Sequence, residues 1–407
     1  MPAGMFNTGN FTTDLAKKSF AGMITRLMPN GSAPLFGLTS MLPTETAVQH
    51  EHGFFTKTML FPEMTLNGAI GDGVINVFTV TSTANILPGM IMRVNSTFEN
   101  IIVDAVLSAT QVKVTRGVGT VTPILIADAI ALYQVGNAFE ESSLRPNAQN
   151  IIPVRITNLT QTFRNTWAIS ESARATQVIA GETNVAESKQ DAAAFHAVDI
   201  EKGVFFGQKS ESTRNGQPFR TMDGLINITS NLSYYPSSYA AANVFTAGAT
   251  TTYTQLEAML DPMFDQTTDP KTCNERVLFT GGKAKLVINN IGRLNGTYQL
   301  MDGETNFGLQ FSTLTLARGK CRIIEHPLFN SNATWAKMAV AVDLATFRLA
   351  YLGDRKTQNK EFNMSGSAAQ DNGIDAVGGT LTTELTTVVK NPPANSVVYN
   401  LTAAAAG

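Results

Sequence analysis

The stretch 181–209, GETNVAESKQDAAAFHAVDIEKGVFFGQK, constrains the fold more than any other, because it is the longest segment with a single helical reading. Asn184 is a good N-cap, and Glu187 three residues on can reach back to free backbone donors, completing a capping box. Ala193, Ala197, Ile200 and Val204 recur at steps of four and three and predict a buried face. Glu187, Gln190, Asp191, Glu201 and Lys202 keep mostly to other faces and predict a wet one. Gly207 offers a left-handed stop, and Lys209 a cation near the negative end of the helix dipole. At 1.5 Å per residue, about 23 residues make a rod of roughly 34 Å, long enough to cross a domain. The remainder of the chain reads as strand, short helix or loop.

A rod of that length needs a core to lie on, and 407 residues with 43% hydrophobic content supply one, in two or three folding units. Charged residues are only 15% and net charge is -2, so no basic field marks a nucleic-acid reader. Thr, Asn, Ser, Gln and Gly must cover the surface, and charge depletion of this kind is characteristic of large protein interfaces. Cys273 and Cys321 follow neither a disulfide framework nor a zinc spacing and read as buried thiols in a reducing compartment. The start of the chain lacks a secretory pattern and no window approaches eighteen apolar residues, so a soluble, non-exported protein is expected.

In chain order, residues 1–50 read as an arm. Its first part is a short helix with Leu15, Phe20, Ile24 and Met28 on one face, stopped at Pro29-Asn30-Gly31. The prolines around Leu35, Phe36 and Met41 break up regular structure beyond it, and these apolar side chains need a partner. Residues 53–66 and 135–156 read as the two extended limbs of a long loop. Between them, five β-branched runs at 74–81, 90–94, 100–107, 111–115 and 129–135 predict a small β-barrel at about 67–135. Limbs carrying Phe54, Phe55 and Phe61 would be poorly buried within one chain and are expected to lie on a neighbouring subunit. A strand with a bulge near Asn158 and a helix over 167–179 precede the rod, giving a scaffold segment 151–215. Residues 216–330 alternate strand and helix as a second, α+β layer, with a helix begun at Thr254, boxed by Glu257 and kinked by Pro262. Residues 331–407 return as strands expected to pack against the rod.

The residues that could carry chemistry are few. His50-Glu51-His52 would aim its two imidazoles one way and its carboxylate the other on an extended chain, with no further ligand nearby. Gly281-Gly282-Lys283 between strand and helix could present backbone donors to a phosphate, but lacks the phosphate-loop spacing, and a tight turn explains the glycines. Gly71-Asp72-Gly73 and Asp302-Gly303-Glu304 fall short of a calcium loop. Glu140-Glu141 would face opposite ways on a strand, and no serine sits in a nucleophile elbow. His196 and His326 read as structural. No catalytic residue, cofactor or metal site is assigned.

The order of parts resembles the major capsid (major head) protein of tailed bacteriophages, the Hong Kong 97 type fold, in a subfamily with a β-barrel inserted in its extended loop. The strings that carry the resemblance are FTTDLAKKSFAGMITRLMPNGSAPLFGL at 11–38, VKVTRGVGT at 112–120, VGNAFEESS at 135–143, FRTMDGLIN at 219–227 and TTELTTVVKNPPANSVVYNL at 382–401. The resemblance implies an N-terminal arm (1–50), an extended loop (51–150), a peripheral domain with a spine helix (151–215), an axial domain (216–330) and a peripheral return (331–407). It implies no active site. Hexamers and pentamers would close an icosahedral shell around packaged DNA, which is touched non-specifically at the inner surface, with scaffolding, portal and cement proteins as further partners and no membrane. Lys57 lies where some relatives place a cross-linking lysine, though no cross-link is assigned. The expected inter-subunit contacts are Leu35, Phe36, Phe54, Phe55, Lys57 and Phe61. Two other classes stand beside this reading: a tail or fibre protein binding host-surface glycans, and a hydrolase with dispersed carboxylates.

Overall fold

Strand Ala376–Val389, rich in Thr, Val and Leu, is long enough to pair with different neighbours along its two edges. On one side it runs antiparallel to Gln161–Ser170; on the other it takes Phe347–Leu352 and Gln358–Phe362 in succession. Thr44–Ala47 adds to Phe347–Leu352 in parallel, closing a five-stranded sheet. In this computed structural model the described residues are 34–57, 59, 61–71, 73–176, 184–236, 239–266, 274–295, 301–306, 309–362 and 375–405. The expected arm helix and Cys273 lie outside them.

Helix Asn184–Phe206 lies on this sheet, with Ala192, His196, Ile200, Val204 and Phe205 buried beneath it. The expected buried face is rotated: Ala193 is exposed and Ala197 only half-buried, whereas Glu201, expected in solvent, is fully buried. Its carboxylate has internal donors, described below, which hydropathy spacing does not register. Gly207 ends the helix for a different reason from the expected one, since it is not left-handed. A Cβ there would stand 2.6 Å from both the Gly203 and Met222 carbonyl oxygens, because the chain at Gly224 crosses the helix end. Gly224 N–H donates to Gly207 O at 2.9 Å, so the crossing is a backbone-to-backbone contact.

A seven-stranded mixed sheet forms the other layer. In spatial order its strands are Val244–Thr246, Ser396–Tyr399, Ala339–Val342, Glu275–Thr280, Lys320–Glu325, Leu309–Thr315 and Met301–Asn306. Helices Tyr253–Leu260 and Gly282–Asn295 bury Leu256, Leu260, Ile288 and Ile291 against it. A single apolar cluster joins the layers, drawing Val204 and Phe205 from the long helix, Phe279 and Val340 from this sheet, and Phe347 and Leu385 from the five-stranded one. Of the C-terminal strands, Ala339–Val342 and Ser396–Tyr399 belong to the seven-stranded sheet, and Val340, Val342 and Val397 share this cluster with Ile200 and Val204 of the long helix.

Local boundaries differ where a competing partner exists. Residues expected as a helix over 167–179 continue as strand to Ser170, because Trp167 and Ile169 pair with Gly379 and Val377; helix Glu171–Ala175 follows, capped by Ser170. The helix expected from Thr254 starts at Tyr253, with Thr252 and Gln255 forming the capping box. Glu257 instead accepts from Ala317 N–H at 2.9 Å. Pro262 does not kink this helix; it sits in a separate 3₁₀ turn, Asp261–Phe264, after the helix has ended.

The chain divides into two compact units, residues 1–54 with 155–407, and residues 55–154. Within the second unit, six antiparallel strands run in the spatial order Glu63–Thr65, Ala131–Asn137, Met90–Val94, Asn100–Ser108, Gln111–Val118 and Val77–Thr79. A Leu66–Val80 bridge links the first to the last. Met92, Val94, Ile101, Val112, Ile126 and Leu132 fill its own core. Glu99, fully buried, takes Arg116 in a bidentate pair at 3.0 and 2.7 Å and Gly117 N–H at 3.1 Å, so the buried charge is paired and hydrogen-bonded.

Candidate assembly surfaces

Strand Glu51–Thr56 pairs with Val154–Leu159, and its side chains alternate. His52, Phe54 and Thr56 are half-buried, while Glu51, Gly53 and Phe55 are exposed, as period two requires. Phe54 packs on Ala47, Ala350 and Val388 of its own chain, so the two adjacent phenylalanines do not share an environment. Phe55 is 70% exposed and Phe61 81%, with Met59 bare between them and Lys57 in solvent. This short segment therefore presents three large apolar side chains that nothing among the described residues covers. Leu35 is half-buried and Phe36 is 44% exposed.

Beyond Phe36 the arm turns inward. Helix Gly37–Met41 places Leu38 in the central cluster, with Leu42 following it there. Its own N-cap residue, Phe36, supplies no side-chain acceptor. Glu201 of the long helix does so instead: Oε1 accepts from Leu38 N–H at 2.6 Å and Oε2 from Thr39 N–H at 2.9 Å. His326 Nε2 lies 3.0 Å from Oε1. Because His326 Nδ1 faces Leu328 N–H at 3.2 Å, and a backbone amide can only donate, Nε2 carries the proton that reaches Glu201. Phe205, Phe279 and Phe329 surround the imidazole.

Two further polar nodes tie the five-stranded sheet to its surroundings. Asn158 donates to the Asp223 and Thr387 carbonyls at 3.0 and 2.9 Å, and accepts from Asp223 N–H at 2.8 Å. Burial raises the Asp223 carboxyl above the ordinary aspartate range, although Asn227 and the Lys209 backbone donate to it. His196 reaches Asn165 Oδ1 through Nδ1 and Thr383 Oγ1 through Nε2, both at 2.7 Å, bridging the two longest strands. Burial lowers its pKa, with Asp199 opposing.

The other residues singled out in the sequence do not assemble into a reaction centre. His52 faces Glu45 at 3.9 Å, and no cluster of three potential metal ligands occurs among the described residues. Gly282 N–H is already taken by Asn330 Oδ1 at 2.6 Å, so this helix start is capped by a side chain. A Cβ on Gly281 would meet the Ala336 backbone at 2.5 Å, which accounts for the first glycine by close approach. Glu140 and Glu141 lie on an exposed, irregular stretch. Cys321 is buried and its thiol is pushed up to about 12, which leaves it inert. Among the described residues no helix is long and apolar enough to cross a membrane. Sequence reading missed Glu201; its only signal is an acid placed five residues after the buried His196 and directly after the buried Ile200.

Comparison with known proteins gives a consistent set of similarities. The family model described as SU10 major capsid protein matches residues 7–402. The major capsid protein of Pseudomonas phage PaMx41 is 35% identical over 408 residues, covering 98% of this chain and 96% of that one. Among solved structures, the capsid of cyanophage P-SCSP1u aligns over 100% of this chain and 99% of its own, at 11% identity and TM-score 0.48. The SrpI encapsulin of Synechococcus elongatus aligns over 96% and 94%, at 8% identity and TM-score 0.45.

Proposed function

Since the chain belongs to the SU10 major capsid protein family, and so is a structural protein of the phage virion capsid, we propose how its surfaces share the work of closing a shell. The exposed run Phe55, Lys57, Met59 and Phe61, together with Leu35 and Phe36, seats on neighbouring copies. Phe54 serves there as an anchor on its own body. Residues 51–150 act as the extended loop, 151–215 and 331–407 as the peripheral part, and 216–330 as the axial part at the centre of hexamers and pentamers. The observation that carries this reading is the exposure of Phe55 and Phe61, 70% and 81%, on one short segment of a family whose members build shells.

Scaffolding, portal and cement proteins are the further partners of such a shell, and packaged DNA meets its inner surface without sequence reading. A net charge of -2 suits that loose contact. The chain does its work by tiling and not by catalysis. Family membership leaves the glycan-binding fibre reading without an observation in its favour. Negative-stain microscopy of the protein expressed alone tests the proposal: shells, tubes or sheets are expected, and removal of residues 1–40 should leave soluble capsomers or monomers. A compact monomer at high concentration, or normal closed particles from the truncated chain, would refute it.

A further inference from the structure

We infer that Glu201 is the positioning residue of the N-terminal arm: its buried carboxylate is a receptor for the Leu38 and Thr39 amides and sets where the arm leaves the body. The inference rests on the reading that the arm works on neighbouring copies, and goes beyond it by naming the device that aims it.

Helix Gly37–Met41 has five residues, far too few to persist unaided, and its first-turn amides would be orphans at this depth. They are satisfied from 163 residues away in sequence, by an acid that is itself without solvent exposure. A carboxylate held in that environment is costly unless its donors are present. The receptor is half made before the arm arrives, since His326 is fixed by Leu328 N–H and by three aromatic rings, and its Nε2 holds Oε1. The arm supplies the remaining two donors, plus Leu38 and Leu42 for the apolar cluster beside them. Three donors and two plugs that fit together favour seating as one event. Downstream, Thr44–Ala47 is held separately by its parallel pairing with Phe347–Leu352. Phe36 is therefore the first residue beyond the fastening, and it is 44% exposed.

Hydrogen–deuterium exchange of the full chain, read by mass spectrometry, tests this directly because the receptor's ligands are backbone amides. In Glu201→Gln one donor is left facing an amide NH₂ group, and exchange over residues 37–42 should accelerate roughly ten- to a hundredfold. Strands Gln161–Ser170 and Phe347–Leu352 should keep their unmutated rates. Thr39→Pro, which withdraws a donor from the arm side and leaves the body untouched, should reproduce the local acceleration. Val342→Ala, in the same apolar cluster but away from the carboxylate, should not produce it selectively. Under the microscope the first two variants should fail to give uniform closed shells, while the third should give them. Exchange over 37–42 that stays at the unmutated rate in Glu201→Gln, or rises only in step with the sheet, overturns the inference. Failure of the unmutated chain to assemble would strike the capsid reading instead, and the exchange result would still decide the role of Glu201.

Discussion

Replacing Phe55 and Phe61 together by serine removes the most exposed large apolar surface near the root of the loop without touching any buried contact. Full burial of a phenylalanine side chain is worth about 1.5–3 kcal/mol. Since 70% and 81% of these residues is still open to water, the amount left to gain on docking is about 1–2.5 kcal/mol each. At about 1.4 kcal/mol per tenfold change in an equilibrium constant, the pair should raise the concentration needed for assembly roughly thirtyfold or more. Light scattering against total subunit concentration reads that threshold. Circular dichroism and thermal melting of unassembled subunits should stay unchanged, because neither side chain supports its own unit. An unchanged threshold in the double variant would show that this segment remains in water within the shell and would refute the reasoning. Serine at Phe54 gives the contrast: it should lower subunit stability, since that ring covers Ala47, Ala350 and Val388.

Three further outcomes are expected. Arg116→Met leaves Glu99 buried without its bidentate partner and should destabilise residues 55–154 by about 3–5 kcal/mol, read as protease cleavage confined to that unit. Gly207→Ala forces a methyl to within 2.6 Å of two backbone oxygens that cannot yield, and should cost about 3 kcal/mol in urea denaturation, despite alanine's better helix propensity. The third concerns pH. Asp223 is raised above its unfolded value by burial, so the native state holds the extra proton and the contribution to stability falls as pH rises from the ordinary aspartate range through the native pKa. Asp223→Asn should therefore gain on the unmutated protein as pH rises across that window, and parallel stability curves would exclude this role.

Cap and stop residues made the long helix legible at its ends, since Asn184 and Phe206 bound it as read, whereas periodicity misplaced its buried face. Each of the five β-branched runs of the loop holds a strand, because turn residues separate them, although the first is strand only at Val77–Thr79 and a sixth strand, Glu63–Thr65, lies in a limb read as merely extended. What the sequence could not display is what depends on distant partners. Glu201 reads as a solvent acid by spacing and becomes a buried cap because residues 38 and 39 arrive from elsewhere. Gly207 reads as a helix stop by type, whereas its need is set by the crossing chain at Gly224. Trp167 fits a helix by local preference, but ten residue pairs with Ala376–Val389 hold its segment extended. Of the expected contact residues, Phe54 and Phe55 look equivalent in composition; only the alternation of the strand separates them.

Strand Ser396–Tyr399 lies inside the seven-stranded sheet, between Val244–Thr246 and Ala339–Val342. An interior piece of this layer therefore comes from a segment far along the chain from the strand Val244–Thr246 that it joins. Until it is in place, Val244–Thr246 has no strand neighbour among the described residues and Ala339–Val342 keeps an open edge, so a polypeptide without it cannot complete this layer. Insertion of this one strand thus sets the earliest moment at which a copy can become a building block, and chains that lack it are barred from the lattice by their own missing wedge.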